Sequence, residues 1–127
     1  MKLENVKWLY ATDWYDYVLS GVVLYEDKKY YAFLNEENEN YEEDGWWRKY
    51  LVVDPSQEFW EKEDARHALF IEKVGDHMDF DVITQKRIGD TRDNSIWHEY
   101  YDKYPAKHEV YSVDMHKFPI VGWFSIC

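Results

Sequence analysis

Apolar positions recur along this chain with two periods, and the switch between them divides it. Residues 20–26 (SGVVLYE) and 30–34 (YYAFL) are short β-branched and aromatic runs. The polar stretch Glu26, Asp27, Lys28, Lys29 separates them, which predicts a β-hairpin. The connection lacks Asn-Gly or Asp-Gly, so a loop of four or five residues is expected rather than a tight two-residue turn. Residues 46–53 (WWRKYLVV) alternate with period two. Trp47, Lys49, Leu51 and Val53 fall on one face, and Trp46, Arg48, Tyr50 and Val52 on the other. Apolar bulk on both faces predicts an inner strand, with Lys49 near its exposed end. Residues 6–10 (VKWLY) form a weaker first strand, and residues 11–19 suit a turn or a bulged strand. Gly21, inside a strand pattern, marks a bulge or a close backbone approach.

After Val53 the period becomes helical. Asp54 can cap, Pro55 fits the first helical position and Gln57 can complete a capping box. Glu58, Glu61 and Glu63 then sit near the positive end of the helix dipole. Trp60, His67, Ile71 and Val74 form a stripe with Phe59 and Phe70 beside it. Gly75 closes the helix, predicted over residues 55–74. Residues 78–84 (MDFDVIT) alternate like a strand with one wet face. Residues 85–93 read as a loop holding a small basic cluster, Lys86, Arg87 and Arg92. A second helix starts at Asn94 or Ser95, carries Ile96, Trp97, Tyr100, Tyr101 and Tyr104, and stops at Pro105. Residues 109–114 and 118–124 close the pattern as strands, with Pro119 confining the last to an edge or delaying its start. The expected fold is α+β: one domain over residues 1–127, a mostly antiparallel sheet of about five to seven strands, and two helices packed on one face.

Between the second and third of these strands, residues 35–44 (NEENENYEED) hold six carboxylates: Glu36, Glu37, Glu39, Glu42, Glu43 and Asp44. Unpaired charge of this density cannot be core. The run is expected to be a solvated, self-repelling hairpin loop, which serves either solubility alone or the docking of a basic partner. The acidity is uneven along the chain. Residues 1–64 hold 16 acids against 7 bases, and residues 65–127 hold 10 against 8. A net charge of −11 argues against nucleic-acid binding and against anionic membranes, because both need a basic face. The lone cysteine, Cys127, excludes an internal disulfide and a cysteine-based zinc site. The N-terminus lacks an apolar signal core and no run approaches a membrane span, so a reducing cytoplasm is expected.

Seven Trp and twelve Tyr exceed what a core of this size requires. Trp8, Trp47, Trp60 and Trp97 sit on patterned faces and read as core. Trp14, Tyr15, Tyr17, Tyr41, Trp46 and Tyr101 are the candidates for exposure. Aromatic rings beside carboxylates suit a basic, Arg-rich protein, since rings stack on guanidinium while acids pair with it. The expected partner-binding set is therefore Glu36, Glu37, Glu39, Tyr41, Glu42, Glu43, Asp44, Trp46, Trp14 and Tyr15.

Catalytic signals are sparse. There is no nucleophile elbow around any serine, no glycine-rich phosphate loop, and no way to select a glycosidase pair among 26 acids. His77, Asp79 and Asp81 are spaced by two, with Asp76 adjacent. A strand would put them on one face, either as a divalent-metal array or as a solvated surface. His67, on the helix stripe, is a general-base candidate or a satisfied half-buried histidine. His98 has Asn94 and Asp102 four residues away on either side, which is ordinary helix-surface bonding. His108 and His116 carry no motif. The leading expectation is a non-enzymatic binding protein without a cofactor, of inhibitor or immunity type or a partial nucleic-acid mimic. The alternative is a small enzyme or ligand-binding domain built on His67 or on the His77, Asp79, Asp81 array. A subunit of a larger assembly is a third reading.

Overall fold

The structure is a computed structural model that describes residues 1–14, 17–38, 45–88, 99–100, 102–103 and 114–126. Five antiparallel strands form one sheet in sequence order: β1 (Lys7–Trp14), β2 (Val18–Tyr25), β3 (Lys28–Asn38), β4 (Trp47–Val53) and β5 (Ile120–Ile126). One long helix, α1 (Gln57–Lys73), follows β4, and a short 3-10 turn, Met115–Lys117, precedes β5. The fold is α+β and mostly sheet. No described helix is long and apolar enough to cross a membrane.

The β2–β3 connection departs from the expected long loop. Tyr25 pairs directly with Lys28, leaving a two-residue turn. Glu26 and Asp27 occupy it at φ of 50° and 62°. Two consecutive positive φ angles match the right-handed twist of the flanking strands. The ladder on either side holds Glu26 in a conformation that its side chain disfavours. β3 also runs further than its apolar run. Glu36 pairs with Lys49 and Glu37 with Arg48, so the acidic stretch begins inside the sheet rather than in a loop. Opposite charges directly across the ladder make that extension favourable.

Successive side chains of a strand point to opposite faces, and this sheet has a core on each. Trp8, Val23, Ala32, Tyr50, Val52 and Phe124 belong to one cluster, with Leu3, Met78 and Phe80 packed on them. Tyr10, Val22, Tyr31 and Val53 form the other, under Phe59 of α1. The helix is not confined to one face. It begins in the second cluster with Phe59 and ends in the first with Phe70. β4 is an inner strand, as its two apolar faces predicted.

Ser56, not Asp54, caps α1, its Oγ accepting from the Phe59 N–H. The buried side of α1 is Phe59, Glu63, Arg66 and Phe70. Trp60, His67, Ile71 and Val74 are only half-buried. The buried stripe is thus rotated from the expected one, because two charged residues that neutralise each other occupy its middle. The 78–84 segment is not a strand. It makes single bridges, Tyr10 with Asp79 and Phe80 with Arg87, around a turn in which the Asp81 carboxylate accepts from the N–H groups of Ile83 and Thr84. Asp residues that bond their own backbone favour turns over ladders. One helix stands among the described elements instead of two: most of the expected second helix, and all of the expected strand up to residue 113, lie outside the described residues. β5 starts immediately after Pro119 and ends the ladder, as that proline predicted.

Other backbone pairs with part of each outer strand of the ladder. Along β1, the Ala11 N–H donates to Met78 O, and Leu9 O accepts from the Phe80 N–H. The Gln85 side-chain amide does the same for Trp8: its Oε1 accepts from the Trp8 N–H at 2.7 Å and its Nε2 donates to Trp8 O at 3.0 Å. Along β5, Leu3 N–H and Met1 O pair with the backbone of Trp123.

Candidate functional site

Two regions gather chemically capable side chains. The first lies at the sheet end where β1 stops and β2 and β4 start. The Trp14 and Tyr17 rings are 5.2 Å apart, and Tyr17 meets Trp46 edge-on at 6.3 Å. All three are half-buried. The structure therefore joins Trp14 and Trp46, which are far apart in sequence, through Tyr17. Each tryptophan already carries a cation from this chain. The Arg87 guanidinium lies 4.2 Å from the centre of Trp14, and Arg48 lies 5.4 Å from the centre of Trp46. Arg87 also donates to the carbonyl of His77.

Arg48 is only 1% exposed, although it stands at a strand end in an acidic protein. Its Nε is 3.3 Å from Glu37 Oε2, and its Nη1 donates to Val18 O. Charge burial of this kind requires paired and bonded neighbours. Glu37 thus has a structural task, while Glu36 is exposed beside it. Tyr15, Glu39, Tyr41, Glu42, Glu43 and Asp44 lie outside the described residues.

The second region lies where α1 crosses β1. Glu63 is fully buried and Arg66 is 5% exposed. Arg66 Nε donates to both Glu63 oxygens at 3.0 Å, and its Nη2 donates to Oε1 at 2.6 Å. The Tyr10 hydroxyl donates to the same carboxylate at 3.3 Å. Burial, reinforced by the Glu63 charge, holds Tyr10 firmly in its phenol form. The Tyr10 ring also stacks on His67 at 3.6 Å. This pair was missed in the sequence, where Glu63 reads as a dipole-facing surface acid. The available signal was the 4-3-4 spacing of Phe59, Glu63, Arg66 and Phe70, which places all four on one helical face.

His67 and Asp79 face each other, Nε2 to Oδ1, at 3.6 Å. Burial, then the Arg66 charge, pushes the imidazole down to about 4. Burial, then the Asp76 charge, pushes the Asp79 carboxyl up to about 6. Their effects on stability oppose each other. The contribution of His67 is present above its unfolded value of about 6.5 and is lost as pH falls through 4. The contribution of Asp79 is present below its unfolded value of about 3.9 and is lost as pH rises through 6. Between pH 4 and 6 the pair therefore compensates itself. Asp79→Asn should expose the histidine alone, giving stability that falls steadily from pH 6.5 to 4. His67→Gln should give the opposite slope, stability falling as pH rises from 4 to 6. Urea denaturation of both variants across this range would show the two slopes. Parallel slopes in wild type and both variants would rule the compensation out.

The three members of the expected metal array have different partners. His77 is buried, with Nε2 3.1 Å from Arg87 Nη2. Asp79 turns to His67, and Asp81 closes its own turn, where the N–H groups of Thr84 and Ile83 draw its carboxyl below the usual range. Among the described residues no group of three His, Cys, Asp or Glu side chains has the spacing of a metal site. The space beside His67, bordered by Ala11, Thr12, Arg66, Phe70 and Met78, is too tight to admit a water molecule. What this second region does chemically is hold charge inside the fold. No known family matches the chain, nor does any curated protein or solved structure.

Proposed function

We propose that the protein is a non-enzymatic binding protein that docks a basic protein partner on the acidic, aromatic end of its sheet, in the manner of an inhibitor or immunity protein. One observation carries this reading: Trp14, Tyr17 and Trp46 form a continuous aromatic row at the sheet end, and the exposed Glu36 stands where the sequence enters its carboxylate run. Long-range attraction by the carboxylates speeds encounter with a basic surface. The half-buried rings then supply apolar contact area with little side-chain entropy to lose. Arg87 and Arg48 already stack on the tryptophans, so a partner meets rings that are braced from within. The acidic run reaches the charge density of duplex DNA only locally, which favours a protein-specific inhibitor over a full nucleic-acid mimic. A single cysteine suits action in a reducing compartment such as the cytoplasm.

The test uses an oligo-arginine peptide in stopped-flow association at low salt. Replacing Glu36, Glu39, Glu42 and Glu43 together by Gln should slow association roughly tenfold and flatten its salt dependence. Glu37 is left in place because it neutralises Arg48. A control that converts Glu4, Glu58, Glu61 and Glu72 to Gln removes the same charge elsewhere, and should slow association by about twofold or less. Equal slowing in the two variants would reduce the effect to net charge and remove the docking surface.

A further inference from the structure

We infer that a groove over β2 and β3 is a socket for one alkylguanidinium group, the chemistry of an arginine side chain. The groove is open to solvent and has a volume of about 400 Å³. Its floor follows one ladder row: Asp13 pairs with Ser20, and Ser20 pairs with Phe33. Tyr31 lines it from the next row, and Asp114 and His116 border it from the 3-10 turn. The His116 ring packs edge-on against Phe33 at 5.1 Å and so fixes that ring in place.

Among the described residues, the two carboxylates that line the groove are uncompensated. Asp13 Oδ1 accepts from the Trp14 N–H at 2.9 Å, and Asp114 Oδ1 accepts from the His116 N–H at 3.0 Å. Among the described residues neither carboxylate has a cationic partner, whereas Asp54, Asp64, Glu37 and Glu58 all do. No Lys or Arg lines the groove. A lining of two carboxylates, aromatic rings and a hydroxyl suits a flat cation with several donors. Guanidinium offers five N–H groups in one plane and a face that stacks on a ring. An ammonium is a compact point charge and offers no planar face to stack on a ring.

The groove includes Leu34, two residues before Glu36, and so lies near the point where the sequence enters its carboxylate run. The inference deepens the docking reading: the run attracts a basic partner and the socket takes one of its arginines. That ownership rests on the docking reading; the socket itself does not.

The probe is butylguanidinium, titrated into the protein labelled at its methionine methyl groups. The chain has three methionines, and they report separately. Met115 lines the groove, Met78 is core and Met1 is exposed. The Met115 methyl should shift alone and saturably, with a midpoint on the order of 1 mM. Asp13→Asn and Asp114→Asn keep the Oδ1 acceptor that each backbone N–H uses, so the fold is retained. Each should raise the midpoint by roughly tenfold, and butylammonium should need about tenfold more ligand than butylguanidinium. A shift at Met1 equal to that at Met115, midpoints unchanged in both Asn variants, or equal binding of butylammonium would each overturn the socket. Saturation at Met115 with peptide association indifferent to the acidic run would keep the socket and remove the docking surface. The reverse result would remove the socket alone.

Discussion

Arg66→Met will destabilise the protein by about 3–5 kcal/mol, the range for breaking a buried ion pair from one side. The cost comes from what remains. Glu63 is fully buried, and three of its four hydrogen bonds come from Arg66. Methionine fills the volume but leaves the carboxylate with the Tyr10 hydroxyl. Replacing both residues, Glu63→Leu with Arg66→Met, should recover most of the loss, because removing a whole buried pair is often neutral or stabilising. Urea midpoints for wild type, single and double variants separate the two costs. A single-variant loss below about 1 kcal/mol would mean that the pair is hydrated in solution.

Gly21→Ala should cost about 3 kcal/mol, at the upper end for overpacking. A Cβ built on Gly21 would stand 2.5 Å from the carbonyl oxygen of Tyr10, with Trp8 and Ala11 also within 3.2 Å. The obstacle is backbone, so no rotamer change relieves it. β1 coils onto β2 here because its register shifts between Trp8 and Tyr10 and again between Ala11 and Asp13. The variant should lose protection from amide exchange first along β1, with β3 to β5 retaining theirs. Uniform loss, or a midpoint within 0.5 kcal/mol of wild type, would show that β1 can shift away at little cost.

Gly21 also shows what kind of information the sequence carries. A glycine between Ser20 and Val22 is legible as a close approach, because the local pattern is otherwise strand. β2, β3 and β4 were legible for the same reason: their apolar alternation is strong and local. The turn at Glu26 and Asp27 was not, since Asp27 tolerates positive φ but Glu26 does not advertise it. Only the pairing of Tyr25 with Lys28, a property of the whole ladder, selects it. Residues 78–84 misled in the opposite way. Their alternation is genuine, but Asp81 satisfies the backbone of Ile83 and Thr84, and a turn results. At the candidate site, composition predicts exposure for Trp14, Tyr17 and Trp46, and the structure half-buries all three. That Tyr17 bridges Trp14 to Trp46, and that Arg87 and Arg48 cover the tryptophan faces, depends on tertiary contacts that no window reveals. The burial of Arg48 and of the Glu63–Arg66 pair was hidden by the same rule that usually works, that charge belongs outside.

The side chain of Gln85 and the first three residues bear on how this protein can meet others. An unpaired strand border is a template for strand addition, by a peptide or by another copy of the same chain. Here Gln85 and residues 78–80 fill that template on one border, and Met1 to Leu3 fill it at Trp123 on the other. Recognition by β-augmentation is closed off at those positions, and so is runaway sheet stacking in a chain this rich in aromatics. At those positions another molecule meets side chains rather than open backbone. Trimming the N-terminal residues or replacing Gln85 would reopen part of a border to strand addition and favour self-association.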